Sequence, residues 1–222
     1  MIYVMSDIHG CYDKYLEMLK LINFNENDKL YILGDVCDRG VHSMKILLHM
    51  MEQDNIIPIY GNHDVDALIH LEKIMNNTLE ENRDYLFWLA DGGKSTLNEF
   101  MNLKEKDKLK VINYLSDFRY YDNVIVNDKE YVLVHGGLGN FNISKSLEEY
   151  SLLELVNDRL DYDKVYYPNK IIISGHTPTI HIDRNMKGKI IKKHNHIAID
   201  CGCVFGYGLG CICLNNMKEY YV

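Results

Sequence analysis

The first sixty residues alternate between short apolar runs and helical repeats, and this alternation limits the fold more than any other feature of the chain. Ile2–Met5, Leu30–Leu33 and Ile56–Tyr60 are apolar runs of strand length. Between them, Tyr12–Ile22 puts Tyr15, Leu16, Leu19 and Ile22 on one helical face, and Ser43–Gln53 reads as a second helix. Such a βαβαβ order predicts parallel strands joined by right-handed crossovers. From about Ala67 to Asp117 the pattern is mainly helical and more polar, with Gly92-Gly93 as a bend. Phe118–Val126 and Tyr131–Val134 then read as strands around the turn Asn127-Asp128-Lys129. Ser146–Arg159 reads as a helix and Ile171–Ser174 as a buried strand, with two or three more strands before the end. The expectation is an α/β fold of two sheets face to face with helices outside. It is one domain over residues 1–222, with a helical cap inserted at roughly 67–117.

Polar residues gather where these strands end. SDIHG (6–10), GDVCDRG (34–40) and GNHD (61–64) follow the first three strands. HGG (135–137) follows Tyr131–Val134, and GHT (175–177) follows Ile171–Ser174. Five times an apolar run gives way to His, Asp or Asn beside glycine. Carboxyl-terminal strand ends are where open α/β sheets build their sites. Glycine there lets the backbone turn sharply and approach an ion or phosphate closely. One Asp-x-His alone is also what a helix cap and a surface histidine would give; five segments in order at strand ends are not. His42, His49, His70, His181, His194 and His196 lack this context and read as surface or structural.

A formal net charge of −8 argues against a general nucleic-acid or membrane-surface binder, since either needs a basic face. No secretory signal pattern opens the chain and no apolar run is long enough to span a bilayer, so the expected location is the cytoplasm. Reduced thiols are the default there. Cys201/Cys203 and Cys211/Cys213 fall at period two in apolar, strand-like runs. That spacing turns both members of each pair to one sheet face as packing groups, whereas structural zinc sites prefer two or more intervening residues.

The donors at the strand ends suit a two-metal site, because carboxylates and imidazoles bind Mn, Fe or Zn and one carboxylate can bridge two ions. Asp7, His9 and Asp35 form one ligand set; Asp35, Asn62, His135 and His176 form the other. Two divalent ions against two aspartates and a bridging hydroxide leave net positive charge to attract a phosphate. Ions about 4 Å apart lower the pKa of bridging water and clamp the attacking and phosphoryl oxygens. His63 then serves to protonate the leaving oxygen, Asp38 to orient its ring, and Arg39 to bind phosphate in bidentate fashion.

With these segments the chain resembles the phosphoprotein phosphatase branch of the calcineurin-like metallophosphoesterases, whose marks are GDxHG, GDxxDRG, GNH[ED], HGG and a later GH. The compact form is similar to the bacterial and phage lambda-type serine/threonine phosphatases. The resemblance spans essentially the whole chain and implies a central β-sandwich of two mixed sheets flanked by helices, in the order α/β/β/α. It also implies two metal ions, commonly Mn²⁺, with Asn62 contacting substrate phosphate as well as metal. Relatives carry a second phosphate-binding arginine between the HGG and GH segments, and Arg159 in LLELVNDR (152–159) is the arginine found there. Ser6 stands in place of the first glycine of GDxHG, and Asp64 in place of the Glu usual in eukaryotic protein phosphatases.

The resemblance thus implies a dinuclear metal-dependent phosphomonoesterase acting on phosphoserine or phosphothreonine of a protein or peptide, by in-line attack of a metal-bridging hydroxide. The alternative is hydrolysis of a small phosphorylated dinucleotide, as by a symmetrical bis(5'-nucleosyl)-tetraphosphatase, since GNHD also occurs there. WLADGGKSTL (88–97) weighs toward the first, because it resembles the WLxxGGxxT stretch of protein-phosphatase-like bacterial members. A third class, a non-catalytic scaffold, has no use for His63, Arg39 and Asp38 together.

Overall fold

Period-two alternation along the strands sorts their side chains into separate cores. In the computed structural model, which describes residues 1–222, β1 (Ile2–Met5) sends Tyr3 and Met5 into one core and Val4 into another. α1 (Tyr12–Leu21) leads to β2 (Lys29–Leu33), and α2 (Ser43–Met50) to β3 (Ile56–Ile59). β2 repeats the split, with Leu30 and Ile32 on the side of Tyr3, and Tyr31 and Leu33 on the side of Val4. β1, β2 and β3 pair in parallel, in register Val4 with Tyr31 and Tyr31 with Ile57.

The helical stretch after β3 comprises α3 (Asn62–Met75), α4 (Arg83–Trp88), α5 (Lys94–Met101) and α6 (Glu105–Ser116). Their buried Leu71, Trp88, Phe100 and Val111 join the same core as Tyr3, Met5 and Ile32, on the outer face of the first sheet. α4 and α5 meet in one wide turn over Leu89–Gly93, where Gly92 has φ +114. The bend expected at Gly92-Gly93 is therefore a kink between two helices, made by the non-helical backbone of Gly92.

The second sheet begins with β4 (Asp122–Val126) and β5 (Lys129–Val134), joined by Asn127 and Asp128 at φ +50 and +60, the left-handed pair that closes a tight hairpin. α7 (Leu152–Val156), β6 (Lys170–Ser174), α8 (Thr179–Ile182), β7 (Ile191–Lys193), β8 (His196–Ala198), β9 (Gly210–Cys213) and β10 (Glu219–Tyr221) complete the chain. The two five-stranded sheets run β10-β9-β1-β2-β3 and β4-β5-β6-β8-β7, both mixed. Val4, Leu33, Ile59, Leu133, Ile173 and Ile212 form the core between them. A third core, with Val132, Val134, Leu155 and Tyr162, covers the outer face of the second sheet. The result is the expected pair of mixed sheets with helices outside.

Two local expectations fail. The helix expected over Ser146–Arg159 is a 3₁₀ turn at Leu147–Glu149 followed by the short α7. Ser146 and Ser151 each start a new turn with a capping box to Glu149 and Glu154. The amides of Gly136 and Gly137 then donate to Leu155 O at 2.8 and 3.2 Å, occupying a carbonyl that a longer helix would need. The second failure is Cys201/Cys203. β8 ends at Ala198; Cys201 faces the core between the sheets, and Cys203 lies in a 3₁₀ turn against the helical core. Cys211 and Cys213 do share one face of β9, and both are buried.

Candidate active site

Parallel pairing puts the ends of β1, β2 and β3 side by side, and those of β5, β6 and β8 likewise in the facing sheet. The five polar segments consequently converge. Gly61 sits so close to the next strand end that a β-carbon there would fall 2.1 Å from Asp35 Oδ1, so only glycine lets these two segments meet.

Asp35 is the shared member of two donor groups whose atoms lie within 4.8 Å of one another: His9, Asp35 and His63, and Asp35, His135 and His176. Asn62 Oδ1 belongs with the second group, 3.2 Å from His135 Nε2 and 3.0 Å from His176 Nδ1. Asp7 is buried at the edge of the cluster. It accepts from the His176 amide at 3.0 Å and from the Ser6 hydroxyl, so the His9 group closes on His63 where the sequence points to Asp7.

The rings are oriented from behind. His9 Nδ1 meets Cys37 O and His135 Nδ1 meets Leu33 O, both at 2.7 Å, so each carries its hydrogen on Nδ1 and turns a lone pair on Nε2 inward. His135 Nε2 then faces Asn62 Oδ1 at 3.2 Å and Asp35 Oδ1 at 3.4 Å. Acceptor facing acceptor in a buried site calls for positive charge between them, and the donor set fits a divalent cation. Burial holds His9 and His176 neutral, lowering each pKa to about 3, which keeps their lone pairs available. Burial opposes charge on His135 as well, but Asp35 and Asp7 outweigh it and raise that ring to about 10, so either a proton on Nε2 or a divalent cation supplies the positive charge that these facing oxygens call for. Burial likewise raises Asp35, yet the His135 and His63 rings hold it well below the usual carboxylate range.

His63 lies beside this cluster in a tight network. Its Nδ1 is 2.8 Å from Asp38 Oδ2, which also accepts from Trp88 Nε1 at 3.0 Å. Asp38 Oδ1 accepts from the Thr96 hydroxyl at 2.7 Å. Burial works against protonation of His63, but the Asp35 and Asp38 carboxylates prevail and raise its pKa. Arg39 is held by its own amide to Gly92 O at 3.1 Å and donates from Nη1 to His9 Nε2 at 2.8 Å, a nitrogen that cannot serve both Arg39 and an ion. WLADGGKSTL is thus a wall of the site, and its Trp, first Gly and Thr hold Asp38 and Arg39. Arg159, delivered by the early end of α7, donates to Thr177 Oγ1 at 2.7 Å and lines a cavity of about 530 Å³ together with Arg39 and His176.

Three contributors escaped the sequence reading. Asp64 is fully buried, and its carboxylate accepts from the amides of Asp35, Val36, Cys37 and Gly61 at 2.7–3.0 Å. Asp64→Ala would strip the GDVCDRG loop of its acceptor, and about 4 kcal/mol of stability is expected to be lost in urea denaturation; a loss below about 1 kcal/mol would show the loop to be self-supporting. Asp91, on the wide turn, has Oδ2 3.6 Å from His63 Nε2. Asp200 follows β8 and is buried, and burial with the nearby Asp7 raises its pKa well above normal. Its signal was present in the sequence: the apolar run that holds β8 also gives way to Asp, with a glycine two residues on.

A further property of the site is its backbone. Asp7, His9, Asp35, Asp38, Arg39 and His176 all have φ between +42 and +71. Left-handed conformations are uncommon for residues other than glycine and cluster at functional sites.

Two facing mixed sheets that bring this donor set together at their strand ends define a metal-dependent phosphoesterase arrangement. Residues 1–206 match the family of calcineurin-like phosphoesterases, and the chain belongs to that family. It is 27% identical to an asymmetrical bis(5'-nucleosyl)-tetraphosphatase PrpE of Anoxybacillus flavithermus, over 93% of this chain and 87% of that protein. It is 31% identical to a symmetrical bis(5'-nucleosyl)-tetraphosphatase of Nitrosospira multiformis over 62% of this chain, a match spanning 43% of that longer relative. Among solved structures, one described as a diadenosine tetraphosphatase superposes over all of this chain and 92% of its own with a TM-score of 0.69 at 15% identity. A serine/threonine phosphatase of Saccharomyces cerevisiae gives 0.56 at 15% identity over 90% of this chain and 66% of its own. At such identities these structures bear on the fold alone. No helix is long and apolar enough to cross a membrane.

Proposed function

We propose that this protein is a metal-dependent hydrolase of dinucleoside polyphosphates. The observation that carries the reading is the match to the PrpE tetraphosphatase along nearly the whole of both chains. The cavity agrees with it, because Arg39 and Arg159 line one space beside the donor cluster and suit a chain of phosphates. The 88–97 segment that weighed toward a serine/threonine phosphatase is accounted for by its bonds to Asp38 and Arg39, which would serve any phosphate ester or anhydride.

In this reading Arg39 leaves His9 Nε2 and Asp7 turns toward it, so that Asp7, His9 and Asp35 would hold one divalent ion, and Asp35, Asn62, His135 and His176 would hold the other. Ions bound there would supply Lewis acidity toward a phosphoryl oxygen and a lowered pKa for the attacking water. Arg39, Arg159 and the Asn62 amide hold the phosphate. The attacking water releases a proton to solvent and its oxygen forms a bond to phosphorus as the bridging P–O bond breaks, while His63, positioned by Asp38, gives its proton to the departing oxygen.

The test is Mn²⁺-supported hydrolysis of diadenosine tetraphosphate and of a phosphothreonine peptide with one preparation. At least about a hundredfold preference in kcat/KM for the dinucleotide is expected, roughly 2.7 kcal/mol of transition-state discrimination. The product pair, ATP with AMP or two ADP, reads the bond cleaved. Preference for the peptide overturns the reading.

A further inference from the structure

The turn at Cys203–Phe205 follows the last parallel strand end, and its side chains are not among the proposed metal or phosphate ligands. It is a built feature. Left-handed glycines, Gly202 at φ +77 and Gly206 at φ +75, bracket it, and the buried Asp200 accepts from the Gly202 amide at 2.9 Å. What this turn presents is Phe205, a phenyl ring left 50% exposed. Phe87 and Tyr120 are comparably exposed, but Phe205 is the one that lines the cavity of Arg39 and Arg159. Its ring lies 5.9 Å from the Arg39 guanidinium carbon, and Tyr207 backs it at 6.2 Å between ring centroids. A half-exposed phenyl ring beneath one phosphate-seeking cation and in the same cavity as a second matches a ligand that is charged at one end and aromatic at the other.

The opposite side of the same turn adds to this. Arg39 also lines a second cavity, of about 550 Å³, with Tyr12, His42 and Val204. The turn therefore stands between two spaces that meet at one guanidinium, as a ligand with a base at each end of a phosphate chain would require.

We propose that Phe205 is a stacking platform for one nucleobase of the substrate, and so the residue that selects nucleotides over simple phosphates. The assignment rests on the dinucleotide reading for its substrate, yet it concerns base recognition alone. Stacking on an aromatic side chain is general to all bases and is worth about tenfold or more in affinity.

The experiment is calorimetric titration of the Mn²⁺-loaded protein with AMP and with ribose 5-phosphate, which differ by the base. The wild type is expected to bind AMP about tenfold more tightly. Phe205→Ala and Phe205→Leu should bring that ratio near one, and Phe205→Trp should keep or raise it. The ratio is the readout because loss of the ring also alters Arg39 and shifts both affinities together. Equal affinities in the wild type, binding of neither ligand, or a ratio that survives Phe205→Ala and Phe205→Leu overturns the platform. Failure to hydrolyse diadenosine tetraphosphate with the AMP ratio intact would instead overturn the proposed activity and leave the platform standing.

Discussion

Asp35→Asn is expected to release both metal ions and to lower kcat/KM by about 1,000-fold or more. Asp35 is the one carboxylate common to both donor groups, and no other buried acid lies within both. Lewis-acid stabilisation is worth several kcal/mol, and each 1.4 kcal/mol is about tenfold in rate. Asn is nearly isosteric and keeps an oxygen to accept the His63 amide, 3.1 Å away in the native chain, so the loop retains its bond. Elemental analysis of the purified variant, beside a thermal melt, separates metal loss from unfolding. Two ions retained per chain would remove the bridging role, and loss of a single ion would confine Asp35 to one group.

His63→Asn carries the second large effect and decides between two roles. The ring lies within reach of His9 and Asp35 as a metal donor, yet its Nδ1 is engaged by Asp38 at 2.8 Å, as suits an acid oriented from behind. As the acid, it should cost about 100- to 10,000-fold in kcat on a substrate with a poor leaving group and much less on p-nitrophenyl phosphate. The two ions should stay bound. Equal losses on both substrates would speak against proton donation, and loss of an ion would make His63 a ligand. Asp38→Asn should follow the same pattern more weakly, because the Trp88 and Thr96 bonds to the side chain leave its position set.

Much of this arrangement is legible in the residues because strands and their ends are local. Ile2–Met5 and the runs near 30 and 56 announce parallel strands, and glycine beside Asp, Asn or His marks where each one stops. What escapes is set by partners distant in sequence. Asp64 reads as a motif variant until its carboxylate is found under four amides, three of them from 35–37. The stretch 146–159 has helical composition, but the HGG loop takes a carbonyl and two capping boxes restart the chain. Alternating Ile and Cys carry the strand pattern of 197–203 past its true end at Ala198, and so hide Asp200 and the Phe205 turn behind it.

The six left-handed residues of the site set folding and chemistry against each other. At 7, 9, 35, 38, 39 and 176 each side chain with a β-carbon costs of order 1 kcal/mol of backbone energy that glycine would not, a cost set against the bonds that Asp7, Asp35 and Asp38 make. The strands and cores thus carry, at their ends, a strain that they must over-determine, and the site is the part of the molecule whose shape depends most on the rest of it.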